Sequence, residues 1–285
     1  MENAESIVKK YKLSLKKNLG QNFLKNTDVI EDIVTASGVC EEDVVLEIGP
    51  GAGSMTELLA DEAAYVICIE IDERLIPILE GTVGRRENVR VVNADALKCN
   101  FAELLEEYLP VDCEYTNIKM VANLPYYITT PLVMKILEEG DMISSMTLMM
   151  QKEVADRMCA EPGGKDFGAI TLAVQYYSQP RKMFDVGPEN FFPAPEVTST
   201  VLKFDRHDEH PVHPKNPDYM FKVIKASFAQ RRKTLLNGLS NAPYIGKSKA
   251  EIREAMAAVG VEENIRGERL SLQQFSDLAD CLLSD

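Results

Sequence analysis

Val44-Val45-Leu46-Glu47-Ile48-Gly49-Pro50-Gly51-Ala52-Gly53-Ser54 carries an apolar run straight into three alternating glycines, and a helical pattern begins immediately beyond. Glycines at such a junction let the backbone approach a ligand at the carboxyl end of a strand, where open α/β sheets bind their cofactors. Outward from this stretch, apolar runs alternate with helical patterns from residue 28 to about 204. The alternation predicts strands at Val44–Ile48, Tyr65–Ile69, Val89–Asn93, Ile118–Ala122, Met146–Met150, Lys182–Val186 and Thr198–Phe204. Met55–Asp61, Arg74–Glu80, Pro131–Glu139 and Glu153–Ala160 read as helices between them. Short, nearly continuous apolar strands suit a sheet covered on both faces. The expected fold is therefore α/β, a doubly wound, mostly parallel sheet of seven strands.

His207–Pro217, crowded with histidine, proline and charge, reads as a solvated linker. After it, Tyr219–Ala229, Thr234–Leu239, Lys249–Val259 and Leu272–Leu283 carry apolar residues at three- and four-residue spacing, with Ser248 and Ser271 as candidate caps. The expected organisation is an α/β domain with a basic N-terminal arm at residues 1–206, a linker at 207–217, and a smaller all-helical domain at 218–285.

A chain of 285 residues that is 45% hydrophobic can bury a full core, and no apolar stretch approaches the roughly 18 residues of a membrane span. The polar start Met1-Glu2-Asn3-Ala4-Glu5 does not read as a signal peptide, so the expected location is the cytoplasm. Six cysteines without a C-x-x-C pair argue against zinc and against a disulfide framework. His207, His210 and His213 are interrupted by Pro211 and Pro214, and no metal site is expected.

A net charge of −14 weighs against a nucleic-acid partner, but the cations are not evenly spread. Lys9, Lys10, Lys12, Lys16, Lys17 and Lys25 crowd the N-terminus against Glu2 and Glu5. Lys215, Lys222, Lys225, Arg231, Arg232, Lys233, Lys247 and Lys249 form a second island against Asp218. Two islands in an acidic chain keep a phosphate-rich partner in play.

The dinucleotide fingerprint G-x-G-x-x-G fails here, because Ser54 and Thr56 stand where a third glycine is needed. The spacing present is E-x-G-x-G-x-G, which resembles the class I S-adenosylmethionine-dependent methyltransferases, a Rossmann-like fold. Gly49 and Gly51 would then approach the cofactor, Glu70 would accept from its ribose hydroxyls, and Asp95, next to Ala96, from its adenine amine.

Asn123-Leu124-Pro125-Tyr126, directly after the apolar run Ile118–Ala122, supplies an acceptor amide, a rigid X-Pro turn exposing two backbone carbonyls, and an aromatic ring. Those parts suit a planar base with an exocyclic amine, adenine above all. Its N6 lone pair is delocalised into the ring. Hydrogen bonds from both N6 hydrogens, to the Asn123 side-chain oxygen and the Leu124 carbonyl, would favour a tetrahedral nitrogen. Tyr126 would stack on a base drawn out of its helix. The tetrad matches the motif [Asn/Asp/Ser]-[Pro/Leu/Ile]-Pro-[Tyr/Phe] of amino-methyltransferases acting on adenine in nucleic acid.

Four further segments extend the likeness. Lys17-Asn18-Leu19-Gly20-Gln21-Asn22-Phe23-Leu24, Pro162–Gly168, Phe191-Phe192-Pro193-Ala194-Pro195-Glu196-Val197-Thr198-Ser199 and Phe228–Leu235 together resemble the small-subunit ribosomal RNA adenine N6,N6-dimethyltransferases, over about Leu15 to Leu283. The resemblance implies that Asn22 and Leu24 close over the methionine end of the cofactor. It also implies that Phe191 flanks the target base opposite Tyr126, and that a basic helix opens the C-terminal domain. Lys16, Lys17, Lys225, Arg231, Arg232 and Lys233 are the expected RNA contacts. The implied activity is transfer of two methyl groups to each of two adjacent adenines in a hairpin loop near the 3′ end of small-subunit ribosomal RNA. The implied setting is ribosomal RNA processing during ribosome biogenesis, with an immature small subunit as partner and the enzyme a monomer. Glu196, Thr198 and Phe167 depart from the family's common lysine, aspartate and tyrosine. The alternatives are a large-subunit ribosomal RNA adenine methyltransferase of the macrolide-resistance type, which typically has isoleucine at the position of Leu124, and a non-catalytic assembly factor.

Overall fold

The computed structural model describes Ser6, Lys10, Tyr11 and residues 20–283, so Lys16 and Lys17 lie outside the described residues. The chain forms two compact units. One runs to Ala155 and resumes at Pro180–Arg206; the other combines Asp156–Gln179 with the chain from His207 onward. The sequence pattern assigns 156–179 to the α/β domain, whereas these residues group with the C-terminal helices.

The first unit is built on strands β2 (Asp43–Ile48), β3 (Tyr65–Glu70), β4 (Val89–Asn93), β5 (Asn117–Asn123), β6 (Ile143–Gln151), β7 (Ser178–Val186) and β9 (Ser199–Arg206). Their order across the sheet is β4-β3-β2-β5-β6-β9-β7. The pairs from β4 to β6 are parallel, and β9 runs antiparallel to β6. The expected seven-stranded, mostly parallel sheet is therefore present. Every residue of β2 and β3 is buried, which explains why their sequences run apolar without alternation.

From β2 the chain moves outward through β3 to β4, then crosses back to β5 on the other side of β2. Their register pairs Ile48 with Ala122, so Gly49 and Asn123 leave adjacent strand ends side by side. This reversal of strand order is the crevice where open α/β sheets take their ligands. A separate two-stranded pairing joins β1 (Phe23–Leu24) to β8 (Phe191–Phe192), in the register Phe23↔Phe192 and Leu24↔Phe191.

The four helices expected between the strands are present as α2 (Ser54–Glu62), α3 (Ile76–Gly81), α5 (Thr129–Glu139) and α6 (Lys152–Met158). Three more escape the periodicity reading. α1 (Thr27–Ser37) is capped by Asn26, and α4 (Phe101–Tyr108) starts where the Asn100 side chain accepts from the N–H groups of Ala102 and Glu103. α7 (Ala169–Tyr177) is apolar on nearly every face, so no helical stripe marks it.

The second unit gathers α7 with α8 (Pro217–Ala229), α9 (Leu235–Ser240), α10 (Lys249–Ala258) and α11 (Leu272–Leu283). Their shared core includes Val223, Leu239, Met256 and Leu278. The rings of Phe167, Phe228 and Phe275 follow one another at centroid spacings of 6.2 Å. Ser248 and Ser271 accept from the backbone N–H groups of Glu251 and Gln274, each within a reciprocal capping box.

The segment read as a solvated linker is packed. The His210 ring stacks on Tyr176 at 4.1 Å, the His207 N–H donates to the Tyr177 carbonyl, and Val212 is buried. Covering Tyr176 takes apolar surface out of water, and that outweighs the polar composition of the segment. His207 and His210 face backbone carbonyls, and among the described residues no group of three His, Cys, Asp or Glu is placed to hold a metal. Among them, too, no helix is long and apolar enough to cross a membrane.

Phe275 is fully buried at the end of the ring series, so Phe275→Ala is expected to destabilise the helical unit by about 3–5 kcal/mol. Hydrogen exchange of residues 218–283 as a function of urea will read this directly.

Candidate active site

A cavity of about 250 Å³ opens at the strand ends around the β2–β5 crevice. Gly49 and Gly51 form one wall with φ of +69° and +60°, a region that L side chains rarely adopt. A Cβ on Gly51 would stand 2.8 Å from the Phe23 ring, so the loop also needs glycine for space.

Glu70, at the end of β3, is buried on the cavity wall, and its Oε1 accepts the Asp72 N–H at 2.8 Å. Burial pushes its carboxyl up to about 7, against the pull of the Asp72 and Gly51 N–H groups. Asp95, after β4, lines the same cavity with Ala96; it accepts the Leu97 N–H at 3.1 Å and lies 3.2 Å from the Lys98 ammonium.

Behind the glycine loop, Glu47 is completely buried and likewise pushed up to about 7 by burial. The Thr56 hydroxyl donates to its Oε2 at 2.6 Å, while its Oε1 and the Ser54 hydroxyl have no hydrogen-bond partner among the described residues. Both line a smaller adjoining cavity that shares Gly49, Gly51 and Asn123 with the first. Leu24 lines this smaller cavity and Asn22 the larger one.

The tetrad begins at the last residue of β5 and continues past the strand end. The Leu124 N–H donates to the Met149 carbonyl at 3.1 Å and its side chain is buried, which fixes the turn. The Pro125 carbonyl accepts from both the Ile128 N–H and the Thr129 hydroxyl, each at 3.2 Å, and so starts helix α5. Of the two backbone carbonyls at this turn, that of Leu124 accepts no hydrogen bond among the described residues. Asn123 Nδ2 donates to the Asn22 carbonyl at 3.1 Å, which leaves its Oδ1 as the acceptor on offer. Tyr126 is half-buried, and its hydroxyl lies 2.8 Å from the Ser199 hydroxyl at the start of β9. That contact orients the ring from its far end.

The structure does not bring Phe191 to the cavity. It is 1% exposed and packs in the core of the first unit with Leu24, its β1 partner. A ring in that position loses less by staying in the core than by facing water, so the expected second face of a base clamp is absent in this arrangement. The RNA candidates Lys225, Arg231, Arg232 and Lys233 are exposed and lie together in the helical unit.

Sequence reasoning missed the groups that fasten the lip of the cavity. Asp72 is buried and accepts from Gln21 Nε2 at 2.9 Å and from Arg74 Nη2 at 2.6 Å. The Arg74 guanidinium holds the Asp72 carboxyl well below the usual carboxylate range. Gln21, so tied, also lines the cavity, as does the half-exposed Tyr127. The doublet Tyr126-Tyr127 is the one visible signal for the latter.

The sequence model of the ribosomal RNA adenine dimethylase family matches residues 12–283. The chain belongs to that family. It is 45% identical to ribosomal RNA small subunit methyltransferase A of Alkaliphilus oremlandii, over 99% of this chain and 96% of that protein. It is 47% identical to the protein of the same name from Lachnoclostridium phytofermentans, over 97% and 94%. A crystal structure of a dimethyladenosine transferase from Plasmodium falciparum, 25% identical, superposes with a TM-score of 0.71 over 90% of this chain and 95% of that one. A 23S ribosomal RNA methyltransferase, ErmE, at 24% identity, shares the fold with a TM-score of 0.67 over 92% and 99%.

The methyl donor of this fold and family is S-adenosylmethionine. The cavity suits it. Carboxyl acceptors stand at Glu70 and Asp95, the glycine loop leaves the backbone open, and the unpartnered Glu47 Oε1 and Ser54 hydroxyl adjoin the same loop. Gly51→Ala adds a methyl group into the Phe23 ring at a backbone conformation alanine disfavours. Cofactor affinity measured by calorimetry is expected to fall at least tenfold while the circular dichroism of the fold is retained.

Proposed function

We propose that this chain transfers methyl groups from S-adenosylmethionine to N6 of two adjacent adenines in a hairpin loop near the 3′ end of small-subunit ribosomal RNA. The products are N6,N6-dimethyladenines, made during assembly of the small subunit by a cytoplasmic monomer. The observation that carries this reading is the pair of acceptors at the end of β5: Asn123 Oδ1, oriented by the Asn22 carbonyl, and the Leu124 carbonyl, which accepts no hydrogen bond among the described residues. The 41–47% identity to small-subunit methyltransferases, with ErmE sharing only the fold, favours the small-subunit substrate over the large-subunit one.

Glu70 would hold the ribose hydroxyls of the cofactor, Asp95 beside Ala96 its adenine amine, and Gly49, Gly51, Asn22 and Leu24 its amino-acid end. When bound, the cofactor supplies an electrophilic methyl carbon on a sulfonium sulfur. In the first transfer Asn123 and Leu124 accept the two N6 hydrogens of the target base and pull its nitrogen toward tetrahedral geometry; in the second, one of them accepts the single hydrogen that remains. Both hydrogen bonds strengthen as positive charge develops on nitrogen, so they lower the barrier more than they tighten ground-state binding. Pro125 fixes the turn that aims them. Tyr126, held by Ser199, stacks on the base and offsets part of the unstacking cost. No strong base is needed at N6, because the methylated cationic amine is acidic enough to release its proton to water.

Asn123→Ala is expected to lower single-turnover methylation by about 10²–10³-fold, with a much smaller loss of cofactor affinity. Quench-flow kinetics with labelled donor and unmethylated small subunits will measure the first, calorimetry the second. Equal losses in both would remove Asn123 from the reaction itself.

Glu70 sets a pH dependence. In the ligand-free protein its carboxyl is raised to about 7, and ribose hydroxyl donors favour the ionised form. Below pH 7 binding must therefore expel a proton, and affinity falls by up to about tenfold per pH unit; above it affinity levels off. Glu70→Gln is expected to flatten this profile and abolish proton uptake by the buffer. An unchanged profile would assign the titration to another group, such as Glu47.

A further inference from the structure

Arg231, Arg232 and Lys233 read in sequence as one phosphate-binding run, yet the first of them is employed differently. Arg231 Nη2 donates to the carbonyl of Lys165 at 2.7 Å and to that of Phe167 at 3.1 Å, and lies 3.6 Å from the Glu268 carboxylate. Glu268 in turn accepts the Gly163 N–H on its backbone carbonyl at 2.7 Å. The 162–167 loop is thus fastened at both ends, by Arg231 on one side and by the 266–269 turn on the other. Phe167 anchors it from within, fully buried against Phe228.

The fastening gathers charge. Gly163 has φ of +85°, and a Cβ there would sit 2.9 Å from Arg269 Nη1, so the loop lies directly on that side chain. Lys165, Arg232, Lys233, Arg266 and Arg269 are all exposed around the loop, and residues 229–233 line a hollow beside it. The side chains of Arg232 and Lys233 make no ion pair or hydrogen bond among the described residues. Acids stand in the same segments, Glu161 and Asp166 beside the loop and Glu262, Glu263 and Glu268 before and within the turn, of which Glu268 is engaged by Arg231 and Arg266 and Glu263 by Arg253. Three segments distant in sequence therefore form one cationic surface in a chain of net charge −14.

We propose that Arg231 is a positioning residue: it spends its guanidinium on the loop carbonyls so that Lys165 and Arg269 join Arg232 and Lys233 in one surface for RNA phosphates. The inference rests on the ribosomal RNA reading. All three contacts run through Nη2 at the far tip of the planar guanidinium, which stands farther from the backbone than a lysine ammonium, so lysine does not reach both carbonyls from this position. A plain phosphate contact would tolerate lysine.

The test compares R231A, R231K, R232A/K233A and K165A in filter binding to unmethylated small subunits across a salt series, with hydrogen exchange of residues 163–168 in the free protein. R232A/K233A is expected to weaken binding and to lower the slope of log affinity against log salt by about 2, leaving loop exchange as it was. R231A and R231K are both expected to speed loop exchange and to weaken binding about tenfold, and adding K165A to R231A should cost little more. Restored affinity in R231K, or loop exchange unaltered in R231A, would overturn the positioning role. If R232A/K233A and K165A leave affinity and slope unchanged, the RNA surface itself is wrong, and loop exchange in R231A then decides by itself whether Arg231 holds the loop.

Discussion

The parallel pairing of β2 with β5 is the constraint on which the rest hangs. It sets Ile48 opposite Ala122, so the glycine turn and the Asn-Leu-Pro-Tyr turn leave the sheet next to one another. Backbone ladder bonds between buried strands hold that register, and a slip of one residue would turn apolar side chains to the wrong face. The proposed cofactor loop and substrate acceptor are thereby placed by the sheet itself. The side chains around them only tune what the ladder has fixed. Asn123 then couples the two halves, since its amide nitrogen is held by the segment that leads into Phe23, the ring that packs on Gly51.

Buried carboxyls give the cavity its character. Glu47 and Glu70 are both driven toward neutrality by desolvation, while Asp72, also buried, is kept charged by Arg74. The difference is one guanidinium within hydrogen-bonding distance. In the proposed role of Glu70, a nucleoside with hydroxyl donors would do for it part of what Arg74 does for Asp72, without adding charge. An acidic chain can still meet an anionic polymer where its cations cluster, because the field at a surface follows the local charges and not the net charge alone.

Much of this was legible in the sequence because it depends on local pattern. Strand cores announce themselves as short apolar runs, and the loop, Glu70, Asp95 and the tetrad all fall at strand ends, where spacing alone locates them. What stayed hidden depends on partners far along the chain. Phe191 looks like a clamp residue until its pairing with Leu24 turns it into the core. Pro125 offers a carbonyl until Thr129 takes it. The histidine-rich stretch looks solvated until the Tyr176 ring is seen beneath His210. Helix α7 hides because burial on nearly all sides erases the stripe that periodicity needs.

The helical unit is assembled from two pieces of chain, 156–179 and the stretch from 207, with the strand-bearing residues 180–206 between them. During synthesis the earlier piece emerges first, and its Phe167 must wait for Phe228, and Tyr176 for His210 and Phe221, before their rings are packed. Such a core has a high sequence separation between its contacts and closes late. A fragment cut at residue 207 would carry the helices but not the aromatic plug that fills them. The unit is therefore not one contiguous segment of chain, and it cannot be cut out whole without residues 180–206 of the sheet that interrupt it in sequence.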